Sequence, residues 1–317
     1  MTTEPSDLVV RALGAAEAQS VFRRLPDSPP TRLGLPERPY APVSQGGEYR
    51  PEWTWVAMRG SSVVARAAFR GAADDAEPRL LDRFDFAPGE RDAAVQLLQR
   101  TPLRAELELV LPPGWRDDPA VRAAAEARID AAAAAGYRPL VERYRYAWTP
   151  DRGLPAPPER LTLHPEPDDE RVLDVLRRVS RGSLDAHARQ AVAEGGGGAA
   201  GVERAAREDF AFLRRMPSPR HWWRVARTPE GRLAGLHVPG RTSTGEAAVA
   251  FIGVVPEQRG NGYAYELLAD CTRQLAAEGA TSVAAATDVG NAPMAAAFAR
   301  AGYPVVQHRW CMSPPAD

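Results

Sequence analysis

The chain has 317 residues, 44% of them hydrophobic, and its 40 basic side chains against 41 acidic ones leave a formal net charge of −1. That length suits about two soluble domains, and the near-balance of charge lacks the basic patch or stripe that marks a nucleic-acid-binding surface. No run approaches the ~20 apolar residues of a membrane span, and "MTTEPSDLVV" carries neither a basic region nor an apolar signal segment. The expectation is a cytoplasmic protein with neither a nucleic-acid nor a membrane partner.

Every basic side chain is arginine; the sequence contains no lysine. That excludes a phosphate-loop lysine, a Schiff-base lysine and a catalytic lysine pair. The two cysteines, Cys271 and Cys311, stand far apart outside any CxxC pattern. They signal neither a disulfide framework nor a thiolate metal site, and they read as small core residues.

In chain order, "DLVVRAL" (7–13) reads as a strand and "AAEAQSVFRRL" (15–25) as a helix. "WTWVAMRGSSVVARAAF" (53–69) follows as a hairpin turning near Gly60. "PRLLDRFDF" (78–86) is a strand, "GERDAAVQLLQR" (89–100) a helix and "RAELELVL" (104–111) a strand. A helix then opens at Asp118-Pro119, a cap followed by a proline in the first turn, and stops at Gly136. "WTPDRGLPAPPER" (148–160) can continue neither a helix nor a central strand and reads as a linker.

Beyond it come the strand "RLTLHPE" (160–166), the helix "DDERVLDVLRRVSRG" (168–182) and a polar insert around "EGGGGAAG". The run Gly195 to Gly198 lacks the preceding strand and the following Lys or Ser of a phosphate loop, so it is expected to be a flexible connection. The helix "GVERAAREDFAFLRRM" (201–216) and the hairpin "HWWRVARTPEGRLAGLHV" (221–238) follow; in the hairpin, alternation sends one of Trp222 and Trp223 to the core and the other toward a cleft. The strand "EAAVAFIGVVP" (246–256), a helix after Gly262, the strand "TSVAAATD" (281–288) and the helix "APMAAAFARAG" (292–302) complete the chain.

Both halves end on the same phrase: Gly136 with Arg143 and Tyr144, then Gly302 with Arg309 and Trp310, each after Ala-Gly-Tyr. The repeat points to an internal duplication at domain length. Each half is a mixed α/β domain with a hairpin-rich sheet, without the regular alternation of a doubly wound fold. The expected organisation is a domain over 1–150, a linker over 151–159 and a second domain over 160–317.

The stretch "VVPEQRGNGYAYELL" (254–268) carries the chemistry. A buried strand ending at Pro256 runs through Arg259, Gly260 and Gly262 into a helix with no acidic residue in its first turn and with Ala264, Leu267, Leu268, Cys271 and Leu275 on one face. Glycines let the backbone approach a ligand, the first N–H groups of the helix point outward unsatisfied, and the helix dipole makes that end positive. An anion belongs there, although a GxG turn alone is equally a tight turn.

"RGNGYA", Arg259 to Ala264, resembles the acyl-CoA pyrophosphate loop of GNAT-type N-acetyltransferases. "IGVVPEQ" before it resembles that family's central strand, and "TDVGNAPMAAAFARAGY" resembles its last strand and helix, with Asn291 in the usual place. The resemblance covers roughly 160–312; the first half resembles the same fold by element order and by its Ala-Gly-Tyr ending. It implies two tandem GNAT-like domains with acetyl-CoA as co-substrate and no metal. The diphosphate would lie on the N–H groups of Arg259, Gly260, Asn261, Gly262, Tyr263 and Ala264, and the pantetheine arm along the backbone near Val254 and Val255. In the first half the matching place reads "DFAPGERDAAVQLL", where Glu90 and Asp92 would repel a diphosphate. That copy is expected to be degenerate and structural.

The implied reaction is direct attack of an amine on a thioester, which needs a neutral amine and a proton for the leaving thiolate. Family members often supply that proton from a tyrosine seven residues after the helix-starting asparagine, and here that position is Phe298. Tyr263, Tyr265, Tyr303 or a water are the substitutes. Glu246 and Asp288, both expected near the point where their strands diverge, are the candidate bases, with Glu246 preferred. Asp185 and His187 in "GSLDAH" are candidates for lining the acceptor pocket. The expected partner is a small-molecule amine acceptor, and the expected assembly a monomer or homodimer. The alternative is a non-catalytic acyl-CoA-binding sensor or scaffold.

Overall fold

The computed structural model of the chain describes residues 7–25, 40–72, 74–242 and 245–316. It divides into two compact units, one formed by residues 1–142 with 307–317 and the other by residues 143–306. Among the described residues no helix is long and apolar enough to cross a membrane.

The first unit begins with β1 (Leu8–Ala12) and the short helix α1 (Ala18–Phe22), then the hairpin of β2 (Tyr49–Arg59) and β3 (Ser62–Arg70). The hairpin turns at Gly60 with φ +57°, a conformation that costs glycine little. β4 (Leu80–Phe86), α2 (Arg91–Arg100), β5 (Glu106–Leu111) and α3 (Pro119–Ala134) follow. α3 starts as its sequence demands: the Asp118 carboxylate accepts from the Ala120 and Val121 N–H groups, and Pro119 occupies the first turn. The strand β6 (Arg138–Trp148) then carries the chain into the second unit.

The second unit contains β7 (Thr162–Pro165), α4 (Asp169–Ser180), α5 (Ala186–Glu194), α6 (Gly198–Arg215), β8 (Arg224–Arg227), β9 (Leu233–Arg241) and β10 (Ala247–Val254). α7 (Tyr263–Ala277), β11 (Val283–Asp288), α8 (Ala292–Arg300) and the start of β12 (Val305–Ser313) complete it. The rest of β12 belongs to the first unit, where it pairs antiparallel with β5 from His308↔Leu111 to Met312↔Leu107. Antiparallel pairs dominate in both units, and each unit contains one parallel pair: β4 with β5 at Leu80↔Glu106 and Leu81↔Leu107, and β10 with β11 at Ala247↔Val283 and Ala248↔Ala284.

The division differs from the one expected at the proline-rich stretch. Residues Arg143–Trp148 of β6 pair with β11 along its length, from Asp288↔Arg143 to Val283↔Trp148. Trp148, 1% exposed, belongs to the same apolar cluster as Val172, Leu176, Trp223, Leu236 and Leu268. The strand before the prolines thus pairs, from Arg143 on, within the second unit, and the prolines lie within that unit.

Other particulars also depart from expectation. Trp222 and Trp223 are both buried, because Trp222 closes a short 3-10 turn instead of extending the strand. Gly195 and Gly197 flank a break between two helices, α5 and α6, and Gly197 (φ +69°) is the N-cap residue of α6. As expected of small core residues, Cys271 and Cys311 are both buried.

Candidate active site

β10 and β11 stay paired for two residues and then separate. Past Ala248 no strand among the described residues pairs with the β11-facing edge of β10, and a bulge between Val249 and Phe251 accompanies the separation. The opening is a pocket of about 480 Å³ with mostly apolar walls. Ile252, Gly253 and Val254 of β10 form one wall, and Val179 at the end of α4 with Ser183 and Leu184 forms another. Gly260, Gly262, Tyr263 and Ala264 line the end at α7, while Asn291, Met294, Ala297 and Arg300 close the side at α8.

The α7 end is built to receive an anion. Gly260 and Gly262 hold φ +80° and +75°, a region L-residues avoid, so the chain can turn twice within three residues. None of the five N–H groups from Gly260 to Ala264 has a protein acceptor among the described residues. Five donors in succession, joined to the positive end of a 15-residue helix, form an anion nest.

The neighbouring residues explain how the nest is held. Arg259 turns its guanidinium away from it: Nε donates to the Val254 carbonyl (3.2 Å), Nη1 to Gly182 (2.8 Å) and Nη2 to Val179 (2.8 Å). Its own N–H bonds to the Pro256 carbonyl (3.3 Å). Arg259 therefore ties the end of α4 to the loop, and the expectation that its N–H group joins the nest is not met. Val255 also stays out, being fully buried with its N–H on the Ala234 carbonyl (3.0 Å), whereas Val254 lines the pocket. Asn261 points back to the Gln258 carbonyl (3.1 Å). Asn291 caps α8 by accepting from the Met294 N–H (3.3 Å).

α7 does carry an acid in its first turn, contrary to expectation: Glu266, 4% exposed. It does not face the nest. Its Oε2 accepts from the N–H groups of Glu159 (3.2 Å), Arg160 (2.9 Å) and Leu161 (3.1 Å), and its Oε1 from Arg160 Nε (2.6 Å). Sequence reasoning missed this staple because its partners lie more than a hundred residues away, in a stretch read as a linker.

The two expected bases stand at opposite ends of the diverging strands. Glu246 precedes the paired residues Ala247 and Ala248 and binds Arg145 Nη2 (2.7 Å). It is eight residues from Val254 along a strand that rises about 3.3 Å per residue, and it does not line the pocket. Asp288, at the far end of β11, is 2% exposed. Its Oδ2 accepts from the Ala186 N–H that opens α5 (2.6 Å), and its Oδ1 lies 3.1 Å from Arg143 Nε. Burial, then the Asp185 charge, raise its carboxyl above the usual range. It too does not line the pocket, but its partner Ala186 lies two residues past Leu184, which does.

Ligand atoms of Asp185, His187 and Asp288 lie within 4.8 Å of one another. Arg143, 3.4 Å from Asp185 and 3.1 Å from Asp288, already supplies a positive charge to this group, which disfavours adding a divalent ion. Nearby Asp209 has its carboxyl pushed up to about 7 by burial, with Asp185 and Glu208 adding to the effect.

Of the substitute acids, Tyr303 is 3% exposed with its hydroxyl on Thr272 Oγ1 (2.7 Å). Tyr265 lines the pocket, but its hydroxyl accepts from the Ala156 N–H (3.2 Å). Tyr263 also lines the pocket, with its ring under the Arg160 guanidinium at 5.0 Å. Phe298 is buried, stacked on Tyr146 at 4.3 Å and edge-on to Tyr303 at 5.3 Å.

Comparison with known proteins accords with this geometry. Residues 198–303 match the model of the acetyltransferase (GNAT) family, and no curated protein sequence matches significantly. The fold is similar to a GCN5-related N-acetyltransferase from Sphaerobacter thermophilus, at TM-score 0.58 and 16% identity over 99% of both chains. It is also similar to the glucosamine N-acetyltransferase region of a fungal multi-domain β-N-acetylglucosaminidase, at TM-score 0.57 and 14% identity, covering 98% of this chain and 38% of that one. A tandem GNAT protein from the clavulanic acid biosynthesis pathway aligns over 98% of this chain and 99% of its own at 20% identity, with TM-score 0.48. Over nearly its whole length this chain therefore has a fold similar to that of a GCN5-related N-acetyltransferase, and residues 198–303 in its second half match the GNAT acetyltransferase family.

Proposed function

We propose that this acyltransferase moves an acetyl group from acetyl-CoA to a primary amine of a small molecule by direct attack. The observation that carries the reading is the run of five unpaired N–H groups, Gly260 to Ala264, at the end of the pocket beside the open edge of β10. A diphosphate fits that nest. The apolar walls suit a pantetheine arm, and backbone N–H groups along the open edge are the natural donors to a thioester carbonyl as it gains negative charge. The amine nitrogen forms the new C–N bond, the C–S bond breaks, and the thiolate takes up a proton as the amine loses one.

Of the two proposed bases, the geometry favours Asp288 over Glu246. The Asp288 carboxyl lies against a pocket-lining loop and its proton affinity is raised, whereas Glu246 is paired with Arg145 at the closed end of the strands. Binding one acetyl-CoA per chain, in the second unit, belongs to the same proposal, as does a cytoplasmic setting. The test is transfer from acetyl-CoA across a panel of small primary amines, with calorimetry for CoA. Saturable transfer supports the reading; CoA binding without transfer to any amine turns it into a non-catalytic acyl-CoA sensor; no CoA binding overturns it. Asp288→Asn should cost ~10²–10⁴-fold in kcat/KM, the range for losing a general base. If both Asp288→Asn and Glu246→Gln retain turnover at saturating acceptor, the enzyme binds an amine that is already neutral and both assignments are withdrawn.

A further inference from the structure

We propose that Arg160, in the proline-rich segment, reads a phosphate of the donor substrate at the α7 nest. The inference rests on the acetyl-CoA reading above.

Arg160 is held as a device at the nest's edge. Its Nε is fixed by Glu266 (2.6 Å), its Nη1 crosses to the Asn261 carbonyl (2.8 Å), and its guanidinium covers the Tyr263 ring. That leaves Nη2 without a protein acceptor among the described residues, 3.6 Å from where a Cβ on Gly262 would stand. Gly262 is the N-cap of α7, so Nη2 stands beside the unpaired N–H groups that would face a diphosphate.

A purely structural buckle would not need this side chain. Glu266 already collects three backbone N–H groups of the segment, those of Glu159, Arg160 and Leu161, and Arg273 Nη1 adds a bond to the Pro155 carbonyl (3.1 Å). The guanidinium adds a cation with a spare N–H donor beside Gly262, and arginine recognises phosphate through such donors. The obvious candidate for that task, Arg259, has its fork spent on three backbone carbonyls. The proline-rich segment thereby contributes a recognition residue to the donor site.

The test is calorimetry of CoA binding to the full chain at low salt and at 1 M salt. Arg160→Gln should weaken binding about tenfold to hundredfold at low salt, the range for a charge-assisted hydrogen bond. The deficit should shrink at 1 M salt, where the screening length falls to about 3 Å. Arg160→Lys, which keeps the charge but not the fork, should recover part of the loss. Arg273→Gln, which loosens the same segment away from the nest, should bind CoA within about twofold of wild type. Arg160→Gln binding as well as wild type, or losing the same factor at both salts, overturns the role of Arg160. Wild-type chain that binds no CoA overturns the donor-site reading and this inference with it.

Discussion

Replacing Glu266 with glutamine probes the staple between the proline-rich segment and the first turn of α7. The native carboxylate, nearly buried, accepts three backbone N–H groups at 2.9–3.2 Å and the Arg160 Nε at 2.6 Å. Glutamine has the same shape, but only one of its two terminal atoms accepts; the other must point an N–H at groups that also donate. Removing one partner of a buried ion pair costs about 3–5 kcal/mol, and an exposed one far less. Arg160 is half exposed here and relaxes into water, so the expected cost is about 3 kcal/mol, chiefly from the stranded backbone donors. For a unit of this size each kcal/mol moves Tm by about 2–4 °C, giving a fall of about 6–12 °C by scanning calorimetry. Hydrogen exchange reads the cause directly: the amides of Glu159, Arg160 and Leu161, protected in wild type although they lie at or before the start of β7, should exchange far faster in the variant. Unchanged protection at these amides with Tm within about 1 °C of wild type would refute the staple.

Gly262→Glu should abolish CoA binding, because it strains a residue at φ +75° and sets a negative charge in the nest, whereas Glu90→Gln should leave a calorimetric stoichiometry of one. Asp209 has its carboxyl raised, so between pH 4 and 7 the folded chain holds more protons than the unfolded one and stability falls as pH rises. Asp209→Asn should flatten that slope by at most about 3 kcal/mol between pH 5 and pH 8, read from urea midpoints. Phe298→Tyr should not raise the rate: the added hydroxyl enters a site 1% exposed between two aromatic rings, and chemical denaturation should show a loss of about 1–3 kcal/mol.

The nest was legible because its signal is local. Two glycines two residues apart after an apolar strand and before an apolar-periodic helix specify both the turn and the exposed donors, and the structure adds only the direction of Arg259. What stayed hidden depends on pairings distant in sequence. β6 and β12 share the phrase after Ala-Gly-Tyr, but nothing in that phrase says that Arg143–Trp148 pair with β11 or that His308–Met312 pair with β5. The same distance bears on the ranking of the candidate bases, since a strand's sequence does not say at which end it parts from its neighbour. α5 was overlooked because its nine residues bury only Ala186 and therefore lack an apolar stripe; its start is set by the Asp185 cap and the Asp288 carboxylate beneath it.

The two halves show why similar strand pairings can serve different ends. In the first unit β4 and β5 also pair in parallel for two residues and then stop, so the geometry that opens a slot is present. The turn after the strand is shorter, however: four residues, 87–90, lie between β4 and α2, against eight, 255–262, between β10 and α7. Those four residues hold a single glycine, Gly89, and Glu90 brings its own charge to the helix start, bound to Arg59 Nε through both oxygens at 3.1 Å. One residue before the end of β4, Asp85 receives Arg128 from α3 at 2.7 Å and Arg66 from β3 at 3.1 Å, both arginines nearly fully buried. The corresponding residue of β10 is Gly253, which lines the pocket. A glycine in one strand leaves space beside the open edge, while an aspartate in the other draws two guanidinium groups to the same place. Those charges satisfy each other, and removing Asp85 would take the carboxylate from two buried guanidinium groups at once. The first unit therefore spends on internal ion pairing the place that the second unit keeps for a ligand.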